Sequence, residues 1–68
     1  MKTIKIKQDY ITLQQLLKWE GFINSGGQAK YFLIENQVYV NDELENRRGR
    51  KLYVGDAINI NDNLFVIE

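Results

Sequence analysis

Residues 11–36 read ITLQQLLKWEGFINSGGQAKYFLIEN, a stretch that holds two helix starts and a helix stop. Thr12 followed by Gln15 has the spacing of a capping box, in which the hydroxyl takes the N3 amide proton and the N3 side chain reaches back to the cap amide. Ile11 and Leu16 occupy the N′ and N4 positions of a hydrophobic staple. Leu13, Leu16 and Leu17 recur at helical spacing, and Gly21 suits the C′ position because it takes φ > 0 without a Cβ clash. A first helix is therefore predicted over Leu13 to Glu20. After Phe22-Ile23-Asn24, Ser25 with Gln28 three residues on repeats the capping signal. Ala29, Phe32 and Leu33 then form a second apolar stripe that ends near Asn36. Two short helices meet at a tight turn.

Outward from this pair the period changes to two. Lys2 to Lys7 alternates Ile4 and Ile6 against Thr3, Lys5 and Lys7, the pattern of a half-buried strand whose lysines suit a sheet edge. Downstream, Val38 and Val40 face one way, and Asn41-Asp42 makes a turn. Glu43 to Glu45 pairs back, and Leu52 to Val54 forms a short strand. Gly55-Asp56 turns, Ala57 to Asn61 alternates through Ile58 and Ile60, Asp62-Asn63 turns, and Leu64 to Ile67 closes the chain. The order is β-α-α-β-β-β-β: an α+β single small domain over residues 1–68, two short helices packed on a small, mainly antiparallel sheet. No internal repeat, low-complexity segment, linker or proline interrupts it.

Composition narrows the function classes. The chain has 68 residues, 44% hydrophobic and 26% charged, a globular balance with room for one domain. A chain this short buries only roughly 60% of its unfolded surface, which leaves little interior for an enclosed substrate. Cysteine and histidine are both absent. That removes disulfides, thiolate and imidazole metal sites and every mechanism built on Cys or His, so neither a cofactor nor a metal is expected. The lack of a disulfide framework, of an apolar run near 18 residues and of a leader-like start points to a cytoplasmic protein without a membrane anchor.

Net charge is zero, yet the charges are segregated. Residues 31–46 carry Glu35, Asp42, Glu43 and Glu45 without a cation, and the next five place Arg47, Arg48, Arg50 and Lys51 around Gly49. Local fields rather than the average decide where an anion docks. The guanidinium fork suits phosphate oxygens, so this basic loop is a candidate nucleic-acid contact; the other reading is a solvated loop paired with Glu43, Glu45 and Asp56. Ser25-Gly26-Gly27 at the second helix start offers a second candidate. There unpaired amides and the positive dipole end favour an anion, the glycines allow close approach, and Lys30 adds a cation one turn in. Simple capping by Ser25 explains the serine equally well, but not glycines in a first turn, where they cost helix stability.

Of Tyr10, Trp19, Tyr31, Phe32, Tyr39, Tyr53 and Phe65, one is available to stack on a base, but most are expected in the core of so small a domain. Tyr39 and Tyr53 are the exceptions, since alternation points them away from Val38, Val40 and Val54. Asp42, Glu43 and Glu45 read as solubility charges at a turn. Ser25 has no base nearby in sequence. Nothing in the chain suggests catalysis.

The element order and the residues at its joints resemble the S-four RNA-binding domain, named for the small-subunit ribosomal protein that carries it. The resemblance rests on Leu13, Leu16, Leu17 and Gly21, on Ser25 and Ala29, on Val38-Tyr39-Val40-Asn41 and on Gly55-Asp56. Ser25 to Lys30 and Glu45 to Leu52 are similar to the small stand-alone bacterial members of the YaaA type. The resemblance implies that the helices and adjoining hairpin form the alpha-L motif, which docks on structured RNA through the start of the second helix and nearby basic side chains. Carried over, that points to Ser25, Gly26, Gly27, Gln28 and Lys30. This chain departs from the family pattern at Gly26, where a basic residue is usual, and at Asp42, where glycine is. The first departure implies that the cationic contacts move to Arg47, Arg48, Arg50 and Lys51.

The expectation is thus a monomeric, non-enzymatic RNA-binding protein acting on structured ribosomal RNA or a ribosome-assembly intermediate. Phosphates would position it, and shape rather than base edges would select the site. A different reading is a protein-interaction adaptor that docks by the edge strand Thr3 to Lys7 or by the acidic segment 42–45. DNA binding is a third.

Overall fold

A computed structural model describes residues 1–68. Helix α1, Leu13–Trp19, starts and stops as its sequence dictates. Thr12 Oγ1 accepts the Gln15 amide at 3.2 Å, and the Thr12 amide donates to Gln15 Oε1 at 2.8 Å, which closes the capping box. Ile11 and Leu16, the staple pair, are both fully buried. At the far end Gly21 sits at φ +78°, with its amide on Lys18 O and that of Phe22 on Leu17 O, a Schellman stop.

The second helix differs from its prediction. Gly26–Gln28 form one 3-10 turn, and α2 proper runs Ala29–Glu35. Ser25 makes no side-chain cap bond. Gln28 Oε1 instead accepts the Asn24 amide at 2.6 Å, so the back-reaching half of the box forms one residue early and leaves the serine hydroxyl facing solvent. Two glycines without side-chain support favour the tighter turn over a full α-helical start.

Seven strands surround the helices: β1 (Lys2–Ile4), β2 (Tyr10–Thr12), β3 (Val38–Val40), β4 (Glu43–Leu44), β5 (Lys51–Tyr53), β6 (Ala57–Ile60) and β7 (Asn63–Ile67). Five make one sheet in the order β1-β7-β6-β3-β4. All its pairings are antiparallel except β1 on β7, which is parallel, with Ile4 opposite Ile67. The predicted first strand is correspondingly short; beyond Ile4 the chain keeps contact through Glu68, whose amide donates to Ile4 O and whose carbonyl accepts the Ile6 amide. The fold is α+β with a mainly antiparallel sheet.

The remaining two strands form a separate antiparallel pair, β2 on β5, that the sequence reading did not foresee. Tyr10–Thr12 is too short a run to show alternation by itself, and it gains its partner from the distant segment Lys51–Tyr53. The Asn41-Asp42 turn lies where the sequence put it, and a second hairpin turn has the same form. Asn41-Asp42 and Asn61-Asp62 both take positive φ and each joins two strands through two residues, the geometry of type I′ turns. The second turn thus precedes the predicted Asp62-Asn63, because Asn63 already pairs with Ile60.

The core lies between the helices and the sheets and is almost entirely aliphatic. Leu13, Leu16 and Leu17 from α1, Ala29 and Leu33 from α2, and Val38, Val40, Leu52, Ile58, Ile60 and Ile67 from the strands are all buried. The expected aromatic core is not found. Phe65 is the one buried aromatic, with Phe22 and Phe32 packed at the core's margin, whereas Tyr10, Trp19, Tyr31 and Tyr53 are exposed. Branched aliphatics on short strands and one leucine stripe already fill a core this thin, so the larger rings are left outside. No helix is long and apolar enough to cross a membrane.

Candidate nucleic-acid interface

The two basic or anion-facing segments singled out in the sequence, 25–30 and 47–51, meet in space. Arg48 Nη1 donates to Gly26 O at 3.4 Å, a bond across 22 residues of sequence. The link runs through the start of α1. The first helical amides, which have no partner within their own helix, donate into the basic loop: Leu13 N to Arg50 O and Gln14 N to Arg48 O, both 2.9 Å. Gln14 also lies against the 3-10 turn, so closely that a Cβ at Gly26 would collide with its amide group. A side chain at Gly26 would have to displace the Gln14 amide, a neighbour the sequence reading missed. A side chain at Gly27 would meet nothing, and that glycine leaves its backbone open to solvent.

Around this joint Ser25, Gly27, Gln28 and Lys30 are exposed. The four cations of the loop are not equivalent. Glu45, only 5% exposed, holds two of them. Its Oε2 accepts the amides of Asn46 and Arg47 at 3.1 and 3.0 Å and Arg47 Nε at 2.9 Å. Its Oε1 accepts Arg47 Nη2 at 3.0 Å and Arg50 Nη1 at 2.7 Å. These bonds, led by Arg47, outweigh burial and lower the Glu45 carboxyl to about pKa 2; the same pairing raises Arg47 further above its ordinary value. Glu45 is thus no solubility charge but the anchor of the basic loop. Glu43 and Asp56 take no part; Asp56 instead accepts the Tyr53 amide at 2.8 Å and Asn41 Nδ2 at 3.0 Å.

Arg48 and Lys51 remain outside that cluster, both exposed. Lys51 Nζ stands 4.9 Å from the centroid of the Tyr10 ring, and Tyr10 packs on Tyr53 across the β2–β5 pair with centroids 5.7 Å apart. Tyr10 was expected inside, and only the strand pairing shows that its ring shares the outer face with Tyr53 and Lys51. The loop surface carries Arg47, Arg48, Arg50 and Lys51 around the buried Glu45 carboxylate, and Lys30 is exposed one turn into α2. No group of His, Cys, Asp and Glu side chains is arranged to hold a metal ion.

Comparison with known proteins agrees with this architecture. The chain is 60% identical over 57 residues to the probable ribosome maturation protein RlbA of Bacillus subtilis, covering 84% of this chain and 80% of that protein. It is 38% identical over 52 residues to the putative RNA-binding protein YbcJ of Escherichia coli, covering 76% and 74% respectively. No solved structure gives a significant match. The family model of the S4 domain matches residues 4–68, and with the two helices, the mixed sheet and the relatives above, it shows that the chain belongs to the S4 domain family.

Proposed function

We propose that this protein binds structured RNA, either ribosomal RNA or an assembling ribosomal particle, and acts in the cytoplasm as a monomer by binding alone. The observation that supports the reading is the Arg48–Gly26 contact, which joins the basic loop to the glycine turn at the start of the second helix. On this reading Arg48, Lys51 and Lys30 meet phosphates directly. Arg47 and Arg50 contribute the part of their charge that Glu45 leaves unmatched. The Ser25 hydroxyl and the backbone at Gly26, Gly27 and Gln28 line the approach. Family membership and the names of the two relatives support the RNA and ribosomal context. Of the two adaptor readings, the one that docks by the acidic segment loses ground, since Glu45 is withdrawn from that segment.

Sedimentation of cell extract at low and moderate salt tests the proposal. The protein should travel with ribosomal particles at low salt and leave them as salt rises. With about four phosphates contacted, log affinity for the RNA should fall against log salt with a slope of roughly −3 to −4. A protein that stays at the top of the gradient at both salts, or whose partners survive nuclease digestion, would overturn it. Charge reversal is best placed at Arg48. Reversal at Arg47 would set two carboxylates side by side and confuse folding with binding.

A further inference from the structure

We infer that the outer face of the β2–β5 pair is a stacking platform for one unpaired RNA base, with Tyr53 as the ring that meets it. The inference rests on the RNA-binding reading above and adds to it a class of ligand, the flipped or single-stranded nucleotide. Alternation along the pair sends Ile11 and Leu52 wholly into the core and leaves Tyr10, Lys51 and Tyr53 outside. The tyrosines are directly opposite in the register, their rings inclined by 51°. Tyr10 is held between Tyr53 and the Lys51 ammonium, while Tyr53 keeps 48% of its surface open. With Arg47, Gly49, Arg50 and Lys51, that open ring lines a shallow groove.

Three physical points favour a base as the occupant. The core is complete without these rings, so their cost in exposed aromatic surface is not repaid by packing inside. A ring fixed by cross-strand pairing loses little further freedom when it stacks, and every base presents a π face. Lys51 is free of any carboxylate on this groove and Arg47 and Arg50 line it beside their Glu45 partner, so a nucleotide's phosphate finds cationic donors there, whereas an apolar peptide would have to desolvate them to reach the ring. Bases inside a duplex have no free face, so the platform selects unpaired nucleotides.

The test uses the full chain and two fluorescent RNA probes: a hairpin whose loop carries 2-aminopurine at successive positions, and the same stem as a blunt duplex. Binding should quench one loop position. Tyr53→Leu, which keeps an apolar cover but removes the π system, should weaken hairpin binding by about five- to a hundredfold, abolish the quenching and leave the duplex unaffected. Tyr53→Phe should behave as the native protein. An abasic residue at the quenched position should reproduce the loss with the unaltered protein, so the answer does not depend on the variant folding. Unchanged hairpin affinity in Tyr53→Leu, or an equal loss on hairpin and duplex, would overturn the platform. Arg48→Glu separates the two ideas. If it weakens both probes while Tyr53→Leu weakens neither, only the platform fails; if the native protein binds neither probe, RNA binding fails with it.

Discussion

The two sheets of this small protein obey the same alternation and put opposite chemistry on their outer faces. On the five-stranded sheet the residues facing away from the core include Thr3, Tyr39, Ala57, Asn59 and Val66, none of them charged. On the two-stranded sheet they are Tyr10, Lys51 and Tyr53, and the strand that supplies two of them leaves directly from the arginine loop. The large sheet thus presents an uncharged outer face, Leu44 and Leu64 included, and the small one the cationic, aromatic face proposed above to meet RNA. The difference also shows how a neutral chain makes a basic face. Four of its nine cations, Arg47, Arg48, Arg50 and Lys51, are gathered at the start of β5, with one buried carboxylate to hold the loop in shape.

The strongest way to break this division is in the scaffold. Leu17→Ala removes a fully buried α1 side chain and should cost about 3 kcal/mol, enough to unfold much of so small a domain; urea denaturation followed by circular dichroism measures it. Glu45→Ala comes next. It leaves Arg50 partly buried without its anion and strips two backbone amides of their acceptor, so a loss of about 2–3 kcal/mol is expected by the same measurement.

The pH dependence carries the same signature. The Glu45 carboxyl titrates lower in the folded chain, near 2, than in the unfolded chain, near 4.5, so its contribution is fully present above the unfolded value. It is lost as pH falls from about 5 toward 2. The melting temperature of the native protein should drop more steeply over that window than that of Glu45→Gln.

Arg48→Glu sharpens the comparison from the other side. RNA affinity should fall about tenfold and the salt slope should flatten by about 1, while the melting temperature stays put, because its bond to Gly26 O is exposed and long. A melting temperature that falls with the affinity would show that the cationic surface is also scaffold. The smallest effect belongs to a hairpin. Asp42 sits at φ +69°, and Asp42→Gly should raise stability by about 0.5 kcal/mol through relief of that backbone, with RNA binding unchanged.

How much of this was legible beforehand varied with the range of the interaction. The capping box at Thr12 and Gln15, the Gly21 stop and the leucine stripe are local, set within a few residues, and each appears where the pattern put it. The capping signal at Ser25 failed because two glycines followed it and Gln28 took the Asn24 amide in place of that of Ser25. The candidate site was half legible. Its cations were visible as a run, but the demotion of Arg47 and Arg50 to partners of Glu45 depends on burying that carboxylate, which no spacing announces.

By itself, the sequence determined the α+β class, both helices, the segregation of charge and the absence of Cys and His chemistry, because each of these follows from residue types and short-range periodicity. Tertiary structure alone decided that β1 runs parallel to β7, that β2 finds β5 and that Arg48 reaches Gly26. Each of those contacts joins residues far apart in the chain, and their energies come from partners that only the folded core brings within bonding distance.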